Sequence, residues 1–517
     1  MSFIIEHEIK GNIYLYEVEN KWDKIKKKTI QKRTYIGPKF PLKRSKSIRK
    51  NLDLVNKSFG NIFLLDYLSK QIGVKIIVKD SFPESYNEIM ALAYYEVMEG
   101  SPFYLFPYWL DDNNLPNVKR LDSSGISGLF DILGKNESQR FDFIEKWIEH
   151  LQPVKAAFFD ISSISSYSSN ISFIEWGYNR DGENLPQLNL GLVYCDNKKL
   201  PINYHLYPGS IVDVTTLKNC KRYLCNFGLK DFLFILDRGF FSTSNLKEMS
   251  KKDEGINFIQ PLPFSLKKAK ELIKKHKRKL KNINTAFPFN KEVLNHLKSS
   301  VDFDQGQYDA HIFYNEKAEI DIRHNFLATI FEIERKLQTK KFEKLKDWIN
   351  YKNNDIPEKY RDFFKWNKTS FRIEKNIRNI KAYLARAGYN ILATNKTDIS
   401  RDEILTYYRN KDLVEKVFDI MKNEMDSKRL RTHNDYTTAG KMFIMFISSI
   451  VYSEIVRIMH LRKLFKKYTV KELLYELKKI KINNIRKDGK PIFSEISKKQ
   501  KKIFEDFKID YSELYGM

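Results

Sequence analysis

Cysteine is almost missing from these 517 residues: Cys195, Cys220 and Cys225 form no CxxC pair and show no cysteine–histidine spacing suited to zinc. A disulfide framework and a zinc ribbon are thereby excluded, and reduced thiols in a reducing cytosol are expected. Long apolar runs are scarce as well. Met442 to Val456 is interrupted by Ser448, Ser449, Ser453 and Glu454; it falls short of the roughly 20 residues a membrane span needs and reads as a core helix. The start carries Glu6 and Glu8 where a signal peptide carries cations, so a cytoplasmic protein with no membrane partner is expected. Acidic residues are outnumbered, 65 to 91, giving a net charge of +26. Such a field attracts polyanions and gives salt-dependent DNA affinity. A lysine-rich proteome would raise the total by itself, but the charge also clusters: Lys21 to Lys50 holds thirteen Lys or Arg and one acid, Asp23, with Trp22, Tyr35 and Phe40 between them. That stretch reads as a DNA-contacting arm or as a solvated strand pair.

Two short apolar runs each end on a carboxylate. Val154 to Phe159 leads into Asp160, and Phe232 to Leu236 leads into Asp237. Both read as buried strands that place an acid at the C-terminal end, where open α/β sheets carry their chemistry. Two further strands, Gln187 to Cys195 and Pro201 to Tyr207, and a helix from Val214 to Asn226 lie between them. Asp213 reads as the cap of that helix, His205 as a structural histidine, and Ser162 to Ser169 as a polar loop. Further along, Tyr408, Lys411, Glu415 and Lys422 fall within about 60° of one another on a continuous helix. Val414, Val417, Phe418 and Met421 occupy the neighbouring sector and would hold that stripe against a core. A solvated charged face would give the same spacing. With two aspartates at strand ends, the stripe instead suggests metal-assisted phosphodiester chemistry.

Tyrosine, two residues, cation, three residues, glutamate, six residues, lysine is a spacing that resembles the C-terminal signature of insertion-sequence transposases of the bacterial IS4 group, IS1634-like in flavour. Lys411 stands where arginine is usual, which keeps the charge and loses the planar fork. Asp237-Arg238-Gly239-Phe240-Phe241, Gly191 to Asp196, Pro208 to Asp213 and Gly388 to Asn395 resemble further blocks of the same group. The resemblance implies an α/β ribonuclease H-like core that cleaves and joins DNA at the inverted-repeat ends of a mobile element. It implies Asp160, Asp237 and Glu415 as catalytic metal ligands for two Mg²⁺ ions, with Mn²⁺ as a substitute. Asp160 would be the bridging ligand. Tyr408, Lys411, Lys422 and Arg238 would contact DNA; Arg238 could equally pair with a carboxylate, and Arg429, Arg431 and His433 form a weaker basic segment. The implied partners are transposon-end and target double-stranded DNA, bound by a homodimer in the synaptic complex on the bacterial nucleoid.

The expected organisation is a basic strand region at 1–50, a helical DNA-binding domain at 51–151, and a first part of the core at 152–263. An inserted α+β domain follows at 264–387, then a second part of the core at 388–460 and a lysine-rich tail at 461–517. The insertion is inferred because 178 residues separate Asp237 from Glu415. Its Trp348 and Trp366 could stack on an unpaired base or fill a core. A ribonuclease H-like nuclease that hydrolyses without joining and a domesticated, inactive DNA-binding protein are the competing functions.

Overall fold

The computed structural model describes residues 2–9, 12–23, 28–39, 54–251, 255–303, 306–425, 429–485 and 492–512. Much of the basic stretch between Lys21 and Lys50, at 24–27 and 40–50, lies outside the described residues. By compactness the chain forms two units, 1–57 with 481–495 and 58–480 with 496–517.

In chain order the elements begin with β1 (Ser2–Ile9), β2 (Asn12–Asp23), β3 (Lys28–Pro38) and β4 (Leu54–Ser58). Helices follow: α1 (Gly60–Gln71), α2 (Val74–Ser81), α3 (Tyr86–Met98), α4 (Phe106–Asp112), α5 (Ser123–Lys135) and α6 (Glu137–Leu151). Next come β5 (Ala156–Ser165), β6 (Gln187–Cys195), β7 (Leu200–Pro208), α7 (Asp213–Asn226), β8 (Leu233–Leu236), α8 (Thr243–Met249) and β9 (Asn257–Pro261). Then come α9 (Lys267–Leu280), β10 (Ala286–Phe289), β11 (Glu292–Phe303), β12 (Gly306–Tyr314), α10 (Glu316–Gln338), α11 (Leu345–Asp355), β13 (Phe364–Asn367), β14 (Arg372–Lys375) and α12 (Ile377–Leu384). The chain continues with β15 (Tyr389–Thr394), α13 (Arg401–Asn410), α14 (Asp412–Asn423), α15 (Asp435–Leu461), α16 (Val470–Lys478), β16 (Lys481–Ile485), β17 (Ile492–Phe493) and α17 (Lys498–Asp506).

In the smaller unit, β1, β2 and β3 form an antiparallel meander, and β17, β16 and β4 form a second three-stranded sheet. The described meander carries Glu6, Glu8, Glu17, Glu19 and Asp23 beside Lys21, Lys28, Lys32, Arg33 and Lys39. It is therefore close to neutral, and a basic arm would rest on the residues beyond it.

The larger unit is built on a nine-stranded sheet in the order β10-β11-β12-β15-β9-β8-β5-β6-β7. β5, β8 and β9 run parallel, and β6 and β7 fold back as an antiparallel meander. Every residue of β6 and β8 is buried; β8 is the continuous apolar run that a strand covered on both faces demands, and β6 buries Gln187 and Asn189 among its apolar residues. The expected insertion, 264–387, divides in two. β12 pairs with β15, so β10, β11 and β12 extend the sheet itself. The part from α10 to α12 has its own core, with Phe326, Ile330, Trp348 and Phe363 buried together. Trp366 packs on that core and donates to the Phe342 carbonyl at 3.0 Å, so both tryptophans serve packing.

Local chemistry sets the helix starts. Ser400–Glu403, Asn434–Thr437, Thr469–Glu472 and Ser497–Gln500 form reciprocal caps at α13, α15, α16 and α17, each satisfying amides that a first turn leaves open. Asp213 opens α7 as its first residue, with Val212 in the cap position. The apolar run read as Met442 to Val456 belongs to the 27-residue α15, long and apolar enough to cross a membrane by composition. Here Met442 to Ile455 is buried, because α15 packs against α3, α5 and β7.

Three imidazoles are held neutral inside the sheet. Burial lowers His205 to about 4, His296 to about 3 and His311 to about 4. His205 packs on Tyr223, and His296 meets His311 at 3.1 Å. Between those values and the unfolded value of roughly 6.5 the unfolded chain binds more protons, so stability is full above 6.5 and is lost as pH falls towards 4. Asp160, pushed up to about 7 by burial, works in the opposite sense and offsets about one histidine, so the other two set the sign. The midpoint of thermal unfolding is expected to fall between pH 7 and pH 4.5, and to fall less in His205→Gln. A midpoint that stays flat would place these rings in water.

Candidate active site

Asp160 was expected at the end of its strand; β5 instead runs on through Ser165. Antiparallel pairing with β6 continues from Asp160↔Leu192 to Ser165↔Gln187, and Ser162, Ser163, Ser165 and Ser166 are buried. The expected polar loop is thus partly strand, its hydroxyls paired locally: Ser163 with Asn189 at 3.3 Å, and Ser165 accepting from Asn179 at 3.0 Å. On the other side of β5 the parallel neighbour β8 stops at Leu236, which faces Phe159. Register therefore sets Asp237 beside Asp160 where β8 gives way to the turn Arg238–Phe240.

Glu415 arrives on α14, which packs against β5 and β6. Val414, Val417, Phe418 and Met421 are its buried face, as the helical spacing predicts. The continuous helix from 408 to 422 is not observed. α13 ends at Asn410, whose amide donates to Asp196 at 3.0 Å, and α14 starts at Asp412. Lys411 sits at the kink with helical backbone angles.

The Lys411 ammonium stands 3.0 Å from Asp237 Oδ1 and 3.1 Å from Glu415 Oε1. Asp160 feels all three groups, Asp237 and Glu415 raising its pKa and Lys411 lowering it, after the dominant effect of burial. Burial disfavours charge on Lys411, but Asp237 and Glu415 outweigh it and hold its pKa above the usual lysine value. Tyr408 lies beside this group, its ring centroid 5.8 Å from Lys411 Nζ, and burial raises its phenol. Arg238 donates to Asn390 at 3.4 Å and stacks on Phe264 at 5.0 Å, at the edge of a cleft of about 450 Å³ that Arg386 and Tyr389 also line. Arg238 Nε and Tyr389 Oη are buried there without a hydrogen-bond partner.

Six of the seven residues singled out from sequence thus come together: Asp160, Asp237, Glu415, Tyr408, Lys411 and Arg238. Lys422 faces another way and is committed to Asp181, at 2.8 and 2.7 Å from its two carboxylate oxygens. Arg429 likewise pairs with Glu183. These acids lie in the β5–β6 connection, and a linear reading had no signal for them because the partners are 241 and 246 residues apart.

The profile of the transposase DDE domain matches residues 153–451. The chain belongs to the DDE transposase-domain family. It is an enzyme of the DDE transposase type, whose partner is DNA. The matched span contains Asp160, Asp237 and Glu415. A cryo-EM structure of a piggyBac transposase synaptic complex with hairpin DNA is similar at 11% identity and a TM-score of 0.36, covering 76% of this chain and 70% of that one. No curated protein matches.

DDE transposases generally use divalent metal ions. The donor set here, three carboxylates, suits a hard cation. Its present spacing does not: among the described residues no three His, Cys, Asp or Glu side chains form a ready-made ion site. Ammonium contacts of 3.0 and 3.1 Å are about an ångström longer than Mg²⁺–oxygen contacts, so Lys411 holds Asp237 and Glu415 further apart than an ion would. The residues fit a divalent ion once that amine moves aside.

Proposed function

We propose that this DDE transposase cleaves and joins DNA strands at the inverted-repeat ends of an insertion sequence of the IS4 type, IS1634-like. The observation that carries the reading is the convergence of Asp160, on β5, and Asp237, just past the end of its parallel neighbour β8, with Glu415 from a helix packed on β5 and β6. Two Mg²⁺ ions, when bound, would stabilise the attacking and leaving oxygens of an in-line displacement at phosphorus. Asp160, the most buried of the three carboxylates, would bridge them, and Asp237 and Glu415 would each complete one. Tyr408 and Arg238 flank the carboxylates on the cleft side, where a phenol and a guanidinium can hold the DNA end in register. Joining, rather than hydrolysis alone, requires a freed 3′-hydroxyl to stay in place, and Arg238 Nε and Tyr389 Oη, buried at the cleft without a hydrogen-bond partner, are groups that could hold it. A homodimer would hold two ends in one synaptic complex. The test is incubation of the purified protein and Mg²⁺ with the element's own end duplex and a target duplex. Joined product supports the reading; hydrolysed ends without joining would favour a nuclease.

DNA contact beyond the active site falls to α9. Its buried face is Ala269, Leu272, Ile273, His276 and Leu280, and its exposed face carries Lys274, Lys275, Lys277, Arg278 and Lys279 with Glu271 as the one acid. Each phosphate neutralised releases counterions and adds about 0.9 to the slope of log affinity against log salt. Replacing these five residues by glutamine is expected to flatten that slope by about 3 to 4, measured by salt titration on a 30-base-pair duplex. An unchanged slope would mark the face as merely solvated.

A further inference from the structure

We propose that Lys411 is a displaceable counter-cation: its ammonium holds the carboxylate oxygens a divalent ion must take, and it transfers to a DNA backbone phosphate as the ion enters. The inference rests on the metal-ion reading above and adds to it a coupling between ion and DNA.

Geometry is the first support. Lys411 bridges Asp237 Oδ1 and Glu415 Oε1 with one amine, so an ion can take those two oxygens only once the amine has moved. The second support is the direction of exposure. The lysine side chain is 18% exposed, against 43% for Asp237 and 53% for Glu415. The amine thus fills the inner side of the group, and the acids keep open faces through which an ion and a phosphate can approach. The third is the chemistry of the residue. An ammonium on four single bonds exchanges partners by rotation, without the fixed two-point geometry of a guanidinium. Seated at the kink between α13 and α14, it can swing without moving either helix axis.

Charge supplies the driving force. A divalent ion entering beside the ammonium would meet a like charge across a few ångströms of partly buried space. A phosphate at the mouth gives the amine an alternative partner of the right sign. Ion and DNA then raise one another's affinity, and linkage makes the two enhancements equal. The closing experiment is Mn²⁺ binding to the full chain, followed by the electron paramagnetic resonance signal of free Mn²⁺, with and without a 20-base-pair duplex.

In the wild type the duplex is expected to tighten Mn²⁺ binding by about tenfold. Lys411→Met is expected to bind Mn²⁺ about tenfold more tightly than wild type without duplex, and to gain less than about twofold when duplex is added. Lys411→Gln serves the same test should the methionine variant not fold. Lys416→Met removes an exposed charge one residue from Glu415 and is expected to behave as wild type, which separates displacement from general electrostatics. Unchanged or weaker Mn²⁺ binding in the Lys411 variants, a duplex effect that persists in them, or an equal gain in Lys416→Met would each overturn the proposal. Asp160→Asn keeps its failure apart from that of the metal reading. Loss of Mn²⁺ binding in that variant supports the site, whereas retention removes the site and this inference together.

Discussion

Asp160→Asn is expected to lower strand cleavage by about a thousandfold or more, with DNA binding in the absence of divalent ions held within about twofold. Removing one charged oxygen ligand forfeits several kcal/mol of stabilisation of the displaced oxygens, and each 1.4 kcal/mol or so is a factor of ten in rate. Asp237→Asn and Glu415→Gln are expected to show losses of the same order. In these two variants the amide also deprives the Lys411 ammonium of one of its two charged partners, though the amide oxygen can still accept from it. The measurement is single-turnover cleavage of a labelled end duplex with Mg²⁺, beside a binding isotherm without it. Cleavage within about tenfold of wild type in any one variant would remove that residue from the metal-holding set.

The second large effect lies away from the chemistry. Where α5 crosses α15 the helices touch backbone to backbone. A Cβ on Gly440 would stand 2.0 Å from the Phe130 carbonyl oxygen, and one on Gly134 would stand 1.9 Å from that of Tyr436. Neither oxygen can rotate away, so even alanine must push the helices apart along a face where Met442 to Met445 are nearly fully buried. Gly440→Ala is expected to destabilise the larger unit by about 3 kcal/mol, and Gly440→Val by more. Gly128, on the same α5, has nothing within 4 Å of its added Cβ. There alanine is expected to stabilise by about 0.5 to 1 kcal/mol through helix propensity alone. Urea midpoints of the two alanine variants should move in opposite directions, and parallel shifts would refute the close crossing.

The parallel centre of the sheet was legible because burial on both faces demands unbroken apolar runs, and the runs ending at Asp160 and Asp237 are of that kind. Glu415 was legible from spacing, since Val414, Val417, Phe418 and Met421 leave it one face to occupy. What the pattern could not carry was partner choice. Lys411 and Lys422 are both lysines on a basic stripe, yet one bridges Asp237 and Glu415 and the other is seized by Asp181. Such a difference arises only when strands far apart in sequence are laid side by side. The same reason hid the extension of the sheet by β10, β11 and β12: their alternation fits an independent domain equally well, and pairing of β12 with β15 decides it. Ser162 to Ser165 misled because serine is common in turns, whereas here pairing with β6 and local hydroxyl bonds keep it in strand.

α15 belongs to two neighbours at once, its sides shared by the helices α3 and α5 and by the strand β7. A rod shared in this way cannot hinge at its middle without uncovering apolar surface on both sides. Bending α15 would thus disturb its packing on α3, α5 and β7 together. Motion during transposition then falls to the nucleic acid, with this part of the protein acting as an anvil under a moving strand.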